Sequence, residues 1–567
     1  MASHDGFTLD HERIAHLALT AYLTDLPLRG AKPGIKSNSR IEWTVLAAFV
    51  LSFPLPHHPQ HEYALISLAT GLKCLPYTSL PVNGDVLHDQ HAEVLARRGA
   101  RQWLLQRLEH EVTSGAGGGG LTLFEPVVGG EPRWKLRQGV RLHLYVSTLP
   151  CGDASSRLLE FQRAAQDQVS GKAGAVTPAQ LLERHLQGAA ALSSAASSTS
   201  TGSSNSNIVR GRASSSHCPS TTSGSLRTKP GRPDSPPSIC MSCSDKLALC
   251  NAPGIGIQGS LLSSLLEPTH IHSVTLCDHP TRHIFPAFPL SQVQEEQREA
   301  LKGLLAEECR RALCRGGSDE GLRVGWSTSA FAHSKETQMD VAWSAFLHHP
   351  AAQHLDLDEQ MLRFKDSEPV TCPNSVVFVA NPTLTDTKGK IENLATGTKM
   401  GAPTKRPQHP RSQCSQPLKA PARSSLCRLS AFRSFVAAHT AITGRQMPSV
   451  LYSDAKEGAF GEGSKAYRRN KAVLLGGKLE AEERVRTFLA GARDGTAIRA
   501  AVLPDRVREV VPVEEGQEDA DGKATFKSWL RTPDVFSQFD LQGQTAHNTQ
   551  ALDTITSTTT HVDPLEP

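Results

Sequence analysis

Residues 141–149 read RLHLYVSTL, and the alternation of Leu142, Leu144 and Val146 is that of a half-buried strand. Pro150 and Cys151 interrupt it, and Leu158, Leu159 and Phe161 follow at helical spacing. A strand that passes into a helix within a few residues calls for a fold in which helices lie against a sheet, and it sets Cys151 at the junction. A second helix is predicted from His91 to Val112, where Val94, Leu95, Leu104, Leu105 and Leu108 recur on one face, with His91 at its start. Two potential metal ligands thus stand at predicted helix N-termini. Backbone N–H groups and the helix dipole favour a thiolate there at neutral pH.

The chain of 567 residues is long enough for several domains or for one large domain with insertions. Its 38% hydrophobic content is unevenly spread. His11 to Val50 and the apolar run Trp43 to Phe53 read as folded core. From about Gln187 to Ser223 the chain is too poor in large apolar groups to offset the entropy of ordering its backbone, and a disordered insertion is predicted. A second insertion, Pro403 to Arg423, is rich in proline and basic residues. Gly115 to Gly120 reads as a flexible tip, and residues 541–567 as a polar tail. With no fixed-period repeat, residues 1–540 are expected to form one domain around these loops.

A net charge of +4 permits nucleic-acid binding without demanding it. The N-terminus lacks the pattern of a secretory signal and no apolar run reaches about 18 residues, so an intracellular protein, cytoplasmic or nuclear, with no membrane association is expected. Twelve cysteines in such a chain are better read as buried thiols or metal ligands than as a disulfide framework.

His91-Ala92-Glu93 supplies an imidazole and a carboxylate two residues apart, and Pro150-Cys151 supplies a thiolate after a strand. Zinc nucleobase deaminases use such segments: three side chains hold the metal, a water fills the fourth position and becomes the nucleophile, and the glutamate moves the proton to the leaving amine. The position three after Cys151 is Ala154, which cannot ligate, so a third ligand is sought in Cys240, Cys243 or Cys250. Cys240-x-x-Cys243 also resembles half of a zinc ribbon. Its only partner pair, Cys309 and Cys314, is spaced five apart in a helical pattern and should diverge around the helix as packing residues.

Taken in order, His91-Ala92-Glu93, Pro150-Cys151-Gly152-Asp153 and Ser242-Cys243-Ser244-Asp245-Lys246 resemble the eukaryotic adenosine deaminases acting on RNA. Thr70 to Pro76 (TGLKCLP), Lys229 to Arg232 (KPGR) and Gly256 to Ser263 (GIQGSLLS) are similar to the tRNA-specific branch of that family. The resemblance implies an α/β fold, a mixed sheet flanked by helices with a zinc site at two helix N-termini. It implies His91, Cys151 and Cys243 as ligands to Zn²⁺, with Glu93 as the catalytic acid and base.

The resemblance also implies a buried inositol hexakisphosphate held by Arg97, Arg98, Lys246, Ser260, Arg428, Tyr452, Lys456, Tyr467, Lys471 and Trp529. Asp89 would link that cavity to the metal. Tyr452 with Lys456 and Tyr467 with Lys471 repeat a Y-x-x-x-K spacing that sets phenol and ammonium one helical turn apart. Leu249, Cys250 and Arg531 depart from the family pattern. The implied substrate is tRNA, at the adenosine 3′ of the anticodon in alanine tRNA. No double-stranded-RNA module is expected ahead of the core, and no obligate protein partner. The alternatives are editing of duplex or messenger RNA, or a catalytically silent zinc-containing RNA-binding subunit.

Overall fold

In the computed structural model, residues 7–545 are described apart from 28–29, 56–60, 115–120, 195–208, 211–225, 230–234, 285–291, 318–320, 351, 384–388, 404–415, 447–448, 477–484, 486–525 and 527–528. The centre is a mixed sheet of eight strands: β1 (Leu46–Pro54), β2 (His61–Thr70), β3 (Arg141–Val146), β4 (Ile271–Cys277), β5 (Arg323–Ser327), β6 (Asn374–Val379), β7 (Lys390–Ala395) and β8 (Thr398–Lys399), in the order β5-β4-β3-β1-β2-β6-β7-β8. β3, β4 and β5 run parallel, and β1 and β2 pair antiparallel to their neighbours.

The apolar run Leu46–Leu51 of β1 has a simple cause: both of its faces are covered. Leu46, Ala48 and Val50 pack with Ile14, Ala15, Ala18 and Tyr22 of α1 (His11–Thr24). Ala47, Phe49 and Leu51 face the other way, into a core with Leu95, Ala96, Ala100, Trp103 and Leu104 of α2 (Ala92–Ser114). Side chains alternate along a strand, so a strand between two helical layers needs apolar residues at every position. The α/β expectation holds.

The predicted strand and helices appear close to their expected bounds, with one shift. After β3, residues 153–155 form a short 3-10 turn, and α3 (Ser156–Val169) begins only beyond it, five residues after Cys151. Within the predicted disordered insertion, α4 (Pro178–Ser194) runs through the alanine-rich start and Val209–Arg210 pairs with Arg227–Thr228, so both of these parts are regular structure. Alanine and leucine are strong helix formers, and the buried Leu181 and Leu182 anchor the helix. The rest of that stretch and Gly115–Gly120 lie outside the described residues.

The end of the predicted 403–423 insertion is folded too. Leu418 is buried with its N–H on Asp85 Oδ2 at 2.7 Å, a 3-10 turn spans Ala420–Ala422, and Arg423 is buried. At the start of the polar tail, Thr545 bridges back to Phe539. Among the described residues no helix is long and apolar enough to cross a membrane.

Candidate active site

Three loops converge at one end of α2. The first is the short strand Asp89–His91, paired with Leu72–Cys74 and leading directly into α2. Gly71 is indispensable to that turn: it has φ of +145°, and a Cβ there would lie 2.0 Å from the Gln90 carbonyl oxygen. The second is Pro150–Asp153. The third begins α5 (Cys243–Asn251), where Ser242 caps the helix and Cys243 is its first residue. The cysteine with a regular helix N-terminus beneath it is therefore Cys243, rather than Cys151.

The second and third loops interlock. Ser244 N donates to the Cys151 carbonyl at 3.0 Å, its hydroxyl lies within hydrogen-bond reach of the Pro150 and Cys151 carbonyls, and Cys243 N approaches Cys151 Sγ at 3.4 Å. Gly152, at φ +112°, permits this closeness, since a Cβ would meet Ser242 Oγ at 2.2 Å. Behind the loops, Asp153 and Asp245 are both buried and both engage Arg315, which follows α7 (Gln292–Leu313). Arg311 adds a fork on Asp153 at 3.1 and 3.2 Å. These two arginines lie in the EECRRALCR stretch, and Cys309 and Cys314 there are buried packing residues as expected.

Asp89 organises the charges. Its Oδ1 lies 2.8 Å from His91 Nδ1 and its Oδ2 takes Lys229 Nζ at 2.9 Å and Lys246. Burial alone would raise its pKa, but Lys229, Lys246 and His91 hold the carboxyl well below the usual range. Lys229 also reaches Cys243 Sγ at 3.0 Å. Burial disfavours its ammonium, yet Asp89, the two thiols and Glu93 keep it charged, well above the ordinary range. Sequence reasoning noted the KPGR segment but assigned Lys229 no role. Cys151 is pushed down to about 6 by its hydrogen bond with Cys243, against burial and with help from Lys229 and His91. Cys243 is pushed up by burial and by Cys151. Glu93, buried in the first turn of α2, is an electrostatic neighbour of both thiols.

These residues suit a zinc ion in chemistry: two adjoining sulfurs, one already acidified, and an imidazole whose Nδ1 is held so that Nε2 is the free donor. The three donor atoms do not all come within 4.8 Å of one another. Of the other cysteines considered, Cys240 turns away toward Cys74, with which it shares a hydrogen bond, and Cys250 lies two turns into α5.

Beneath the site lies a group of half-buried cations. Arg97, Arg98 and Arg101 project from α2, Arg428 opens α9 (Arg428–Thr443), Lys456 follows it, and Tyr467 and Lys471 share α10 (Glu462–Leu475). Arg98 is pushed down to about 10 by burial and then by Arg428 and Arg101. Lys456 is pushed down to about 7 by burial, Arg468 and Arg428. Lys471 is likewise held well below the ordinary ammonium range by burial, Lys456, Arg468 and Arg97. Such a group repels itself, and a buried polyanion is the partner that would satisfy it. Arg101, one turn beyond Arg97 on α2, belongs to this group and was missed, while Arg468 beside it is engaged by Glu457.

Other expected cavity residues have different principal contacts. Lys246 is engaged by Asp89, and the Ser260 hydroxyl donates to the Lys456 carbonyl. Tyr452 stacks on Phe539 at 4.9 Å with Lys456 Nζ 5.4 Å from its ring, and Trp529 packs against Phe526.

Residues 67–294, which hold all three loops, match the adenosine-deaminase (editase) domain. The chain is 33% identical over 277 residues to tRNA-specific adenosine deaminase 1 of Schizosaccharomyces pombe, covering 48% of this chain and 60% of that protein. It is 28% identical over 407 residues to the human protein of the same name, covering 57% of this chain and 74% of the relative. A 30% match over 228 residues to the double-stranded RNA-specific editase Adar of Drosophila melanogaster covers 40% of this chain and 29% of the fly protein. The chain thus spans less than two thirds of the fission-yeast and fly relatives.

Proposed function

We propose that this protein hydrolytically deaminates adenosine to inosine in tRNA, at the adenosine 3′ of the anticodon of alanine tRNA, as one catalytic domain over residues 1–540. The observation that carries the reading is the two-sided engagement of Asp89, which orients His91 on one side and ties Lys229 and Lys246 to the thiol site on the other. Zinc held by His91, Cys151 and Cys243 would supply the Lewis acidity that activates a water at neutral pH. Glu93 accepts a proton and delivers it to the amine leaving C6. Asp89 holds the His91 tautomer, and Lys229 balances the negative charge of Cys243. The adenosine enters unstacked, which costs a few kcal/mol and less from a loop than from a duplex. The half-buried cations around Arg98, Arg428, Lys456 and Lys471 take up inositol hexakisphosphate, with Ser260 and Lys246 placing neighbouring backbone and charge.

tRNA is preferred over duplex RNA because the fission-yeast and human tRNA-specific relatives are matched over 60% and 74% of their lengths and the fly duplex-specific editase over 29%. The test is base-by-base detection of inosine after incubating wild-type and Glu93→Gln protein with alanine tRNA, other tRNAs and long duplex RNA. Inosine beside the alanine anticodon, dependent on Glu93, is expected. Inosine only in duplex RNA would overturn the substrate, and none in any RNA with zinc-loaded protein would overturn the activity.

A further inference from the structure

A second group of ligand-type side chains lies at the end of β4, away from the three loops. His279 and His283 sit one turn apart at α6 (His279–Arg282) and its following turn, and Asp340 lies on α8 (Lys335–Leu347). Their ligand atoms all fall within 4.8 Å of one another, and no other such trio occurs among the described residues. Asp340 Oδ2 is 3.6 Å from His279 Nε2 and 3.6 Å from His283 Nε2. That separation is too long for a hydrogen bond. It is close to the edge of a tetrahedron, roughly 3.3 Å, built from zinc bonds of about 2.0 to 2.1 Å.

The imidazoles are also prepared for a metal. The Thr337 hydroxyl donates to the Phe331 carbonyl at 3.1 Å and so presents a lone pair to His279 Nδ1 at 3.1 Å. With the proton fixed on Nδ1, His279 Nε2 is left as a bare donor facing Asp340. His283 Nε2 is buried and has no hydrogen-bond partner, an arrangement that costs free energy unless something binds it. Glu336, one turn before Asp340 on α8, is an electrostatic neighbour of both His283 and Asp340.

We infer that His279, His283 and Asp340 form a second metal site, for a divalent ion of the zinc class, that clamps the α6 turn to α8. Two imidazoles and a carboxylate select a borderline first-row cation over calcium or magnesium, which prefer all-oxygen sets. Its geometry is independent of the thiol site, so the two can fail separately.

The measurement is the metal content of the full chain, by mass spectrometry after equilibration with Zn²⁺ and gel filtration, for wild type, His283→Ala and Asp340→Asn. Asp340 is exposed, so its amide variant should fold even if a histidine variant does not. Wild type is expected to carry one zinc equivalent more than Asp340→Asn, whatever the thiol site holds, because that contribution cancels in the difference. The Co²⁺ difference spectrum between the two proteins should lack thiolate-to-cobalt charge transfer. Equal zinc content in wild type and a folded Asp340→Asn protein would overturn the proposal, as would a thiolate band in the difference spectrum.

Discussion

Lys229 and Asp89 form a buried ion pair at 2.9 Å, and the same ammonium lies 3.0 Å from Cys243 Sγ. One cation therefore neutralises both the carboxylate that orients His91 and a sulfur of the proposed zinc site. Lys229→Met should remove that charge while Lys246 still holds Asp89. The expected loss is about 3 kcal/mol of stability, the lower end for breaking a buried pair, together with reduced zinc retention. Urea unfolding and zinc analysis on the same preparation check this, and unchanged values in both would contradict the role.

Gly152→Ala tests the interlock of the two cysteine loops. An L residue at φ +112° is strained by about 1 to 3 kcal/mol, and its methyl would press on Ser242 Oγ. The expected outcome is a lower melting temperature and weaker zinc binding. Gly129→Ala, also at positive φ but with open space around its Cβ, is the control and should keep its zinc.

Glu93→Gln separates chemistry from folding. The amide has nearly the same shape but cannot take up the proton, so inosine formation should fall by about 100-fold or more. Melting temperature and zinc content should remain as in wild type. A loss of zinc would make Glu93 a structural group.

The half-buried cations predict a pH dependence. Lys456 is lowered from 10.5 to about 7 in the folded chain, first by burial and then by Arg468 and Arg428. Between those values the unfolded chain binds a proton that the folded one does not, so polyanion-free protein should gain stability as pH rises from 7 toward 10.5. Stability is correspondingly lost as pH falls through that window. Inositol hexakisphosphate at about 100 times its Kd should add about 2.7 kcal/mol at neutral pH and flatten the slope. Thermal melts across pH, with and without the ligand, read both effects.

Glu93 and Cys151 were singled out because each belongs to a short segment of the chain, His91-Ala92-Glu93 and Pro150-Cys151, whereas Gly71 was given no role before the structure showed its turn. Alternation along β3 and the helical spacing after Cys151 are local patterns, and they located the strand, the helix and the junction between them. The helix that continues through the start of the serine-rich stretch and the folded end of the 403–423 segment were misread for one reason. Both rest on a few buried anchors, Leu181, Leu182 and Leu418, which average composition hides.

The sequence by itself determined which residue types could do the chemistry and on which kinds of element they stand, because spacing along a strand or helix dictates facing. Only the tertiary structure decided which of them meet. Lys229 reaches Asp89 across 140 positions, Arg315 reaches Asp245 across 70, and Asp340 comes to His279 and His283 from another helix. Such pairings depend on the order in which strands assemble and on how helices pack over them, and no periodicity along a single chain encodes that order.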